Sequence, residues 1–280
     1  MKIFILILLL SLNTFAADNS KEKRGLLPEL KLDNKNEEKN EAKQLTSELM
    51  IARAEDKAIT SLQSFLSKNR NTPQEADLLY RLAELYMRKS KTGRFFDLNV
   101  NSKTLKLSPF PIPPQKGKDW IRKASNSYYE IERRFPQFSE MDGVLFNNAF
   151  ASQQIGDLKS AETLYRKLLN KYPNSPLVPD GLIALGELLY DQARFKDARE
   201  SFERIENFPQ SRIYSYGLYK WAWTLYNMKL SDPAIKKLVE VVEKNPLRLD
   251  QTKSYNLRKE ALRDLVLFGC DVLQADELYS

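Results

Sequence analysis

Residues 149–173 read AFASQQIGDLKSAETLYRKLLNKYP, and two later stretches lie over them. Residues 186–209 read GELLYDQARFKDARESFERIENFP, and residues 222–246 read AWTLYNMKLSDPAIKKLVEVVEKNP. Ala161, Ala198 and Ala234 recur at 37 and 36 residues, and Pro173, Pro209 and Pro246 at 36 and 37. Four residues after each alanine stands a large apolar side chain (Tyr165, Phe202, Leu238), and seven after it another (Leu168, Ile205, Val241). Twelve residues before it stands a small one: Ala149, Gly186, Ala222. Apolar spacing of this kind is helical, and a period of this length marks a repeat architecture. Two antiparallel helices approach closely only where small residues face each other and bulky neighbours fill the flanks. The unit is therefore a helical hairpin, and Ala83, Ala149, Ala161, Gly186, Ala198, Ala222 and Ala234 are its packing residues.

Boundary signals agree with that unit. Gly156-Asp157 can end one helix and cap the next, Ser231-Asp232-Pro233 offers a cap followed by proline, and Thr72-Pro73-Gln74-Glu75 has the pattern of a capping box. Ala83 and Ala149 are 66 residues apart, one repeat plus an insertion. The partner helix resumes at Ala124, Tyr128 and Ile131, which places the insertion at about 91–116. With four prolines near its end and no helical period, this stretch is expected as a long loop, and Phe95, Phe96, Phe110 and Ile112 are expected to pack on the solenoid or on a partner.

Composition narrows the chemistry. The 280 residues include no histidine and one cysteine. Histidine-dependent triads and general bases, histidine-ligated metals and an intrachain disulfide framework are thereby excluded. Only 9 glycines argue against a turn-rich β fold and for an all-α one. Glu187 and Asp191 stand at i, i+4 spacing, which could serve glycan cleavage, but no nucleophile, base or glycine-rich loop accompanies them. The reading is non-catalytic, with no cofactor and no metal site. No basic stripe with interleaved aromatics points to nucleic acid.

The first 16 residues have a positive start, an apolar run over Ile3–Leu10 and small residues at Thr14 and Ala16, the pattern of a secretory signal peptide cleaved after Ala16. Residues 17–38 are too polar to bury a core and are expected as a disordered charged tether. Export places the mature chain in the periplasm of a Gram-negative bacterium, with no membrane span after cleavage. Loss of Lys2 lowers the formal charge of +7 by one. That balance leaves open a second reading, a cell-wall or lipid-surface binding module acting through net positive charge.

The stretch Leu79–Tyr86, LYRLAELY, and the stretch Leu182–Leu189, with Gly186 in the small position, resemble the first helix of the tetratricopeptide repeat (TPR) family. The tails NKYPNSPLVPDG and ENFPQSRIYSYG resemble those of bacterial envelope TPR proteins of the BamD-like and CpoB-like (TolA-binding) types. The resemblance covers residues 39–280 and implies a right-handed α-solenoid of five helical pairs and an incomplete sixth. It also implies partner binding in a groove lined by the first helix of each pair. Projected onto this chain, that groove holds Phe146, Phe150, Ile183, Glu187, Tyr190, Tyr219, Trp223 and Tyr226. Its partner would be another envelope protein or peptide segment.

At the C-terminus, Leu257, Ala261, Leu265, Phe268 and Val272 form one face of a further first helix, and Ala275 and Tyr279 match the start of its partner. This face is expected to be left partly uncovered, and self-association through this end follows as an expectation.

Overall fold

The computed structural model describes residues 34–99, 117–245 and 257–272. The chain divides into two compact units, residues 1–40 and 41–280, and the account below concerns the second. The helices are α1 (Asn34–Lys68, of which residues 41–68 belong to this unit), α2 (Glu75–Asn99), α3 (Gly117–Arg134), α4 (Met141–Ile155), α5 (Leu158–Lys171) and α6 (Val178–Asp191). They are followed by α7 (Phe195–Glu203, continued by a 3-10 turn at Arg204–Asn207), α8 (Tyr214–Asn227), α9 (Ser231–Lys244) and α10 (Arg258–Val272). The described residues contain no strand. Consecutive helices pack on one another along the chain, α2 on α3, α4 on α5, α6 on α7 and α8 on α9, and each pair packs on the next. The fold is an α-solenoid. The first helices of successive pairs are α2, α4, α6, α8 and α10.

The small-against-large interlock holds the pairs together. Ala83, Ala149, Ala161, Ala198, Ala222 and Ala234 have no exposed surface, and neither do Tyr165, Leu168, Phe202, Ile205, Leu238 and Val241. At Gly186 the approach is closer still: a Cβ there would sit 2.5 Å from the ring of Phe202. Each buried large side chain contributes about 1.5–3 kcal/mol relative to exposure, so the repeated residues are the main source of stability.

The turn inside each pair also repeats. Gly156, Ala193 and Lys229 stand one period apart and all adopt left-handed backbone, with φ of 90°, 57° and 63°. Only the first carries the residue that this conformation favours. Asp157 then caps α5 by accepting the Ser160 amide at 3.1 Å.

Charged groups clamp the N-terminal half. The buried Glu75 carboxylate accepts from Arg134 at 2.6 and 2.8 Å, from Arg70 at 2.8 Å and from the Asn71 amide at 2.7 Å. Thus Glu75 reaches the amide before Thr72 rather than that of Thr72 itself, as the capping-box pattern had implied. The Arg134 bond, the Asn71 amide and Arg70 outweigh the burial and hold its pKa down at about 2. Between α1 and α2, the buried Lys89 ammonium donates to the Ala52 carbonyl at 3.0 Å and pairs with Asp56 at 2.8 Å.

Four expectations change. Residues 34–68 form one uninterrupted helix rather than a tether followed by a hairpin, because no glycine or proline breaks this run. The helical part therefore begins at 34 rather than 39, and four complete pairs are described instead of five. Residues 91–99, expected within the loop, continue α2. Phe96 is fully buried among Leu45, Leu49 and Ala52, which gives this extra length of helix an apolar face to cover. Finally, the face of α10 that carries Ala261 and Phe268 is buried on the chain itself. Residues 1–33, 100–116, 246–256 and 273–280, and with them the signal peptide, most of the tether, Phe110, Ile112, Pro246, Ala275 and Tyr279, lie outside the described residues. Among the described residues no helix is long and apolar enough to cross a membrane.

Candidate protein-binding face

Polar and aromatic side chains join successive first helices edge to edge. Between α2 and α4, Asn147 donates to the Tyr80 hydroxyl at 3.2 Å and Arg94 donates to Gln154 at 3.0 Å. Between α6 and α8, Glu187 accepts from the Tyr216 hydroxyl and lies 3.3 Å from the Lys220 ammonium. One turn further on, Asn227 donates to the Tyr190 hydroxyl at 2.7 Å, and the Lys220 ammonium sits 5.0 Å from the centre of the Tyr190 ring. A cation over an aromatic ring is attractive, so Lys220 bridges Glu187 and Tyr190. Burial pushes the Tyr190 hydroxyl pKa up, which keeps it neutral and able to donate as well as accept.

The residues expected in the groove separate into three groups. Phe146 and Phe150 on α4 are half-buried, Phe146 with its ring edge-on to Tyr165 at 5.9 Å. Glu187 and Tyr190 on α6 meet Tyr216, Lys220 and Asn227 of α8 as above. Ile183, by contrast, is 6% exposed, and a Cβ on Gly217 would lie 2.9 Å from its Cδ1. It is core, because α8 crosses directly over it.

The remaining three, Tyr219, Trp223 and Tyr226, are turned to intramolecular work by α10. Tyr219 Oη donates to Asp264 Oδ2 at 2.5 Å and Trp223 Nε1 donates to the same oxygen at 3.0 Å. The Trp223 and Tyr226 rings contact Phe268, which is fully buried. Burial and the Asp264 acceptor raise the Tyr219 pKa to about 12. Asp264, the buried anchor of this cluster, shares the helical face of Ala261, Leu265 and Phe268, and that acidic residue in an apolar stripe was its signal in the sequence. Tyr216, Lys220 and Asn227 carry no such signal, since their role arises only from the pairing of α6 with α8.

What the arrangement can do is bind. The face offers half-exposed aromatic rings, amides and one ion pair. Among the described residues no group of His, Cys, Asp or Glu could hold a metal ion, and the Glu187 carboxylate is already occupied by Tyr216 and Lys220.

The chain is similar over 83% of its length to the whole of a solved chain described as "Functional Characterization of Pseudomonas Aeruginosa pilF", at 16% identity and a TM-score of 0.38. It is similar over 86% of its length to 95% of a tetratricopeptide repeat protein from Parabacteroides merdae, at 16% identity and a TM-score of 0.34. A search of curated proteins found no match. Residues 151–212, from the end of α4 to the threshold of α8, match the tetratricopeptide repeat family, whose repeats are protein-binding scaffolds.

Proposed function

We propose that this chain is an exported, non-catalytic scaffold that binds a segment of another protein along its first-helix face. Its setting on this reading is the assembly or maintenance of a bacterial envelope complex. The observation that carries the binding reading is the α6–α8 junction. Lys220 and Asn227 of α8 frame the half-buried Tyr190 ring, and Phe150 stands on the neighbouring first helix. Rigid aromatics framed by polar groups are the usual anchors of protein interfaces. Helical hairpins stacked in a row suit an extended or helical ligand. Export is supported by the residue pattern of 1–16.

Photo-crosslinking from positions 150 and 190 in cells tests the face. The expected result is one partner captured from both positions and not from exposed Glu200 or Glu203. Capture that is equal at all four positions overturns the reading. Binding that collapses between low and physiological salt, with no loss on Tyr190→Ala, would favour the charge-driven surface module instead.

A further inference from the structure

The helix α1 carries residues at the three buried packing positions of the later second helices. Ala58, Leu62 and Phe65 precede Ala124, Tyr128 and Ile131 by 66 residues each, and Ala161, Tyr165 and Leu168 by 103 each. In α3 and α5 all six of these side chains have no exposed surface. In α1, Ala58 and Leu62 are only half-buried and Phe65 is 56% exposed. The connectivity explains the difference. In the pairs α4–α5, α6–α7 and α8–α9 the small residue of the first helix stands 12 positions before the alanine, which in α1 falls at Thr46, and α1 runs through Thr46 without a turn. No described helix therefore covers the triad, although α1 keeps its other neighbour, with Ile59 and Leu66 buried against Leu79 and Leu82 of α2. What remains is a groove of about 510 Å³ between α1 and α2, floored by Ala58, Leu62, Phe65 and Leu85, with Arg81 and Arg88 on its α2 wall.

The geometry points to a seat for a helix supplied by a partner protein: an amphipathic helix with a small residue opposite Ala58, an apolar stripe over Leu62 and Phe65, and carboxylates facing Arg81 and Arg88. The helical form follows from the triad, whose counterparts pack closely on helices: Phe202 on Gly186 of α6, Leu168 on Gly181 of α6 and Ile205 on Gly217 of α8. The acidic character follows from charge. Glu84 is the one carboxylate in the lining against two arginines. A second copy is a poorer occupant. The exposed side of α10, the first-type helix with apolar surface to offer, sets Lys259 and Arg263 beside Leu262 and Val266, like charges against Arg81 and Arg88. This seat is separate from the α6–α8 junction and stands or falls without it.

Two synthetic helical peptides of about 15 residues, four turns, test the seat against the full mature protein. Both carry one alanine and leucine stripe; one is flanked by glutamates and the other by lysines. The glutamate peptide is expected to bind at least tenfold more tightly than the lysine peptide. Arg81→Glu with Arg88→Glu should invert that preference, a gain that a misfolded protein cannot show. Phe65→Glu, at an exposed position, should abolish binding of the glutamate peptide with the circular dichroism unchanged, whereas Tyr190→Ala should leave it intact. Failure of both peptides to bind, or equal binding by both, overturns the inference. So does a wild-type dimer in light scattering that Phe65→Glu converts to monomer, since the occupant would then be a second copy.

Discussion

The ring of Phe268 lies face to face on that of Tyr226, centroids 3.9 Å apart and planes 1° from parallel. Trp223 closes the cluster edge-on to Phe268 at 5.1 Å. The last described helix is thus anchored on the aromatic surface of α8, and the three aromatics that the sequence suggested for a ligand are held by the chain itself. Phe268→Ala should cost about 3–5 kcal/mol, the range for a fully buried phenylalanine. Hydrogen exchange should localise the loss to α10. Unchanged protection of α10 amides would contradict this anchoring.

Trp223→Ala should behave as a stability variant, with α10 loosened and affinity at Tyr190 retained. Tyr190→Ala should do the reverse, weakening partner binding by about 2 kcal/mol as hot-spot aromatics do with little change in melting. Calorimetry of both variants separates the two roles.

Acid should release the Glu75 clamp. Its pKa is about 2 in the fold and about 4.3 in an unfolded chain. The stability it contributes is fully present above the unfolded value and is lost as pH falls through 4 towards 2. Glu75→Gln should flatten the acid limb of the stability profile. At neutral pH it should cost about 1.5–3 kcal/mol, the scale of a hydrogen bond to a charged group.

Alkali should act at the other end. Tyr219 is held at about 12 in the fold against about 10 unfolded. Its neutral form is the one the fold requires, so its contribution is present below pH 10 and is lost as pH rises towards 12. Tyr219→Phe should reduce that alkaline loss in a denaturation series, leaving the part due to Tyr214, which is likewise raised to about 12.

Two substitutions probe the repeat geometry in opposite directions. Gly186→Ala should destabilise by about 1–3 kcal/mol because the added methyl meets the Phe202 ring, and Phe202→Leu should recover part of the loss. Ala193→Gly should stabilise by about 0.5–1 kcal/mol, since relief of left-handed strain exceeds the added freedom of the unfolded chain.

The repeat itself was written in the residues. Ala161, Ala198 and Ala234, with the large side chains four and seven positions on, specify helix, hairpin and period, because packing of neighbours along the chain is local and recurs. The same locality made Ala149, Gly186 and Ala222 legible as contact points. What the sequence could not reveal was which surface each first helix keeps. Tyr190 and Trp223 are both half-buried aromatic residues on first helices, yet Tyr190 is met by Lys220 and Asn227 of α8 and Trp223 by Asp264 and Phe268 of α10. The difference is that α10 lands on α8 and brings Asp264 and Phe268 with it. In the same way Phe65 stands at the sequence position of Ile131 and Leu168, yet it is exposed where α1 runs unbroken through Thr46. Periodicity is a property of the chain, whereas exposure depends on whether another helix arrives to cover the face, and that is settled by tertiary packing.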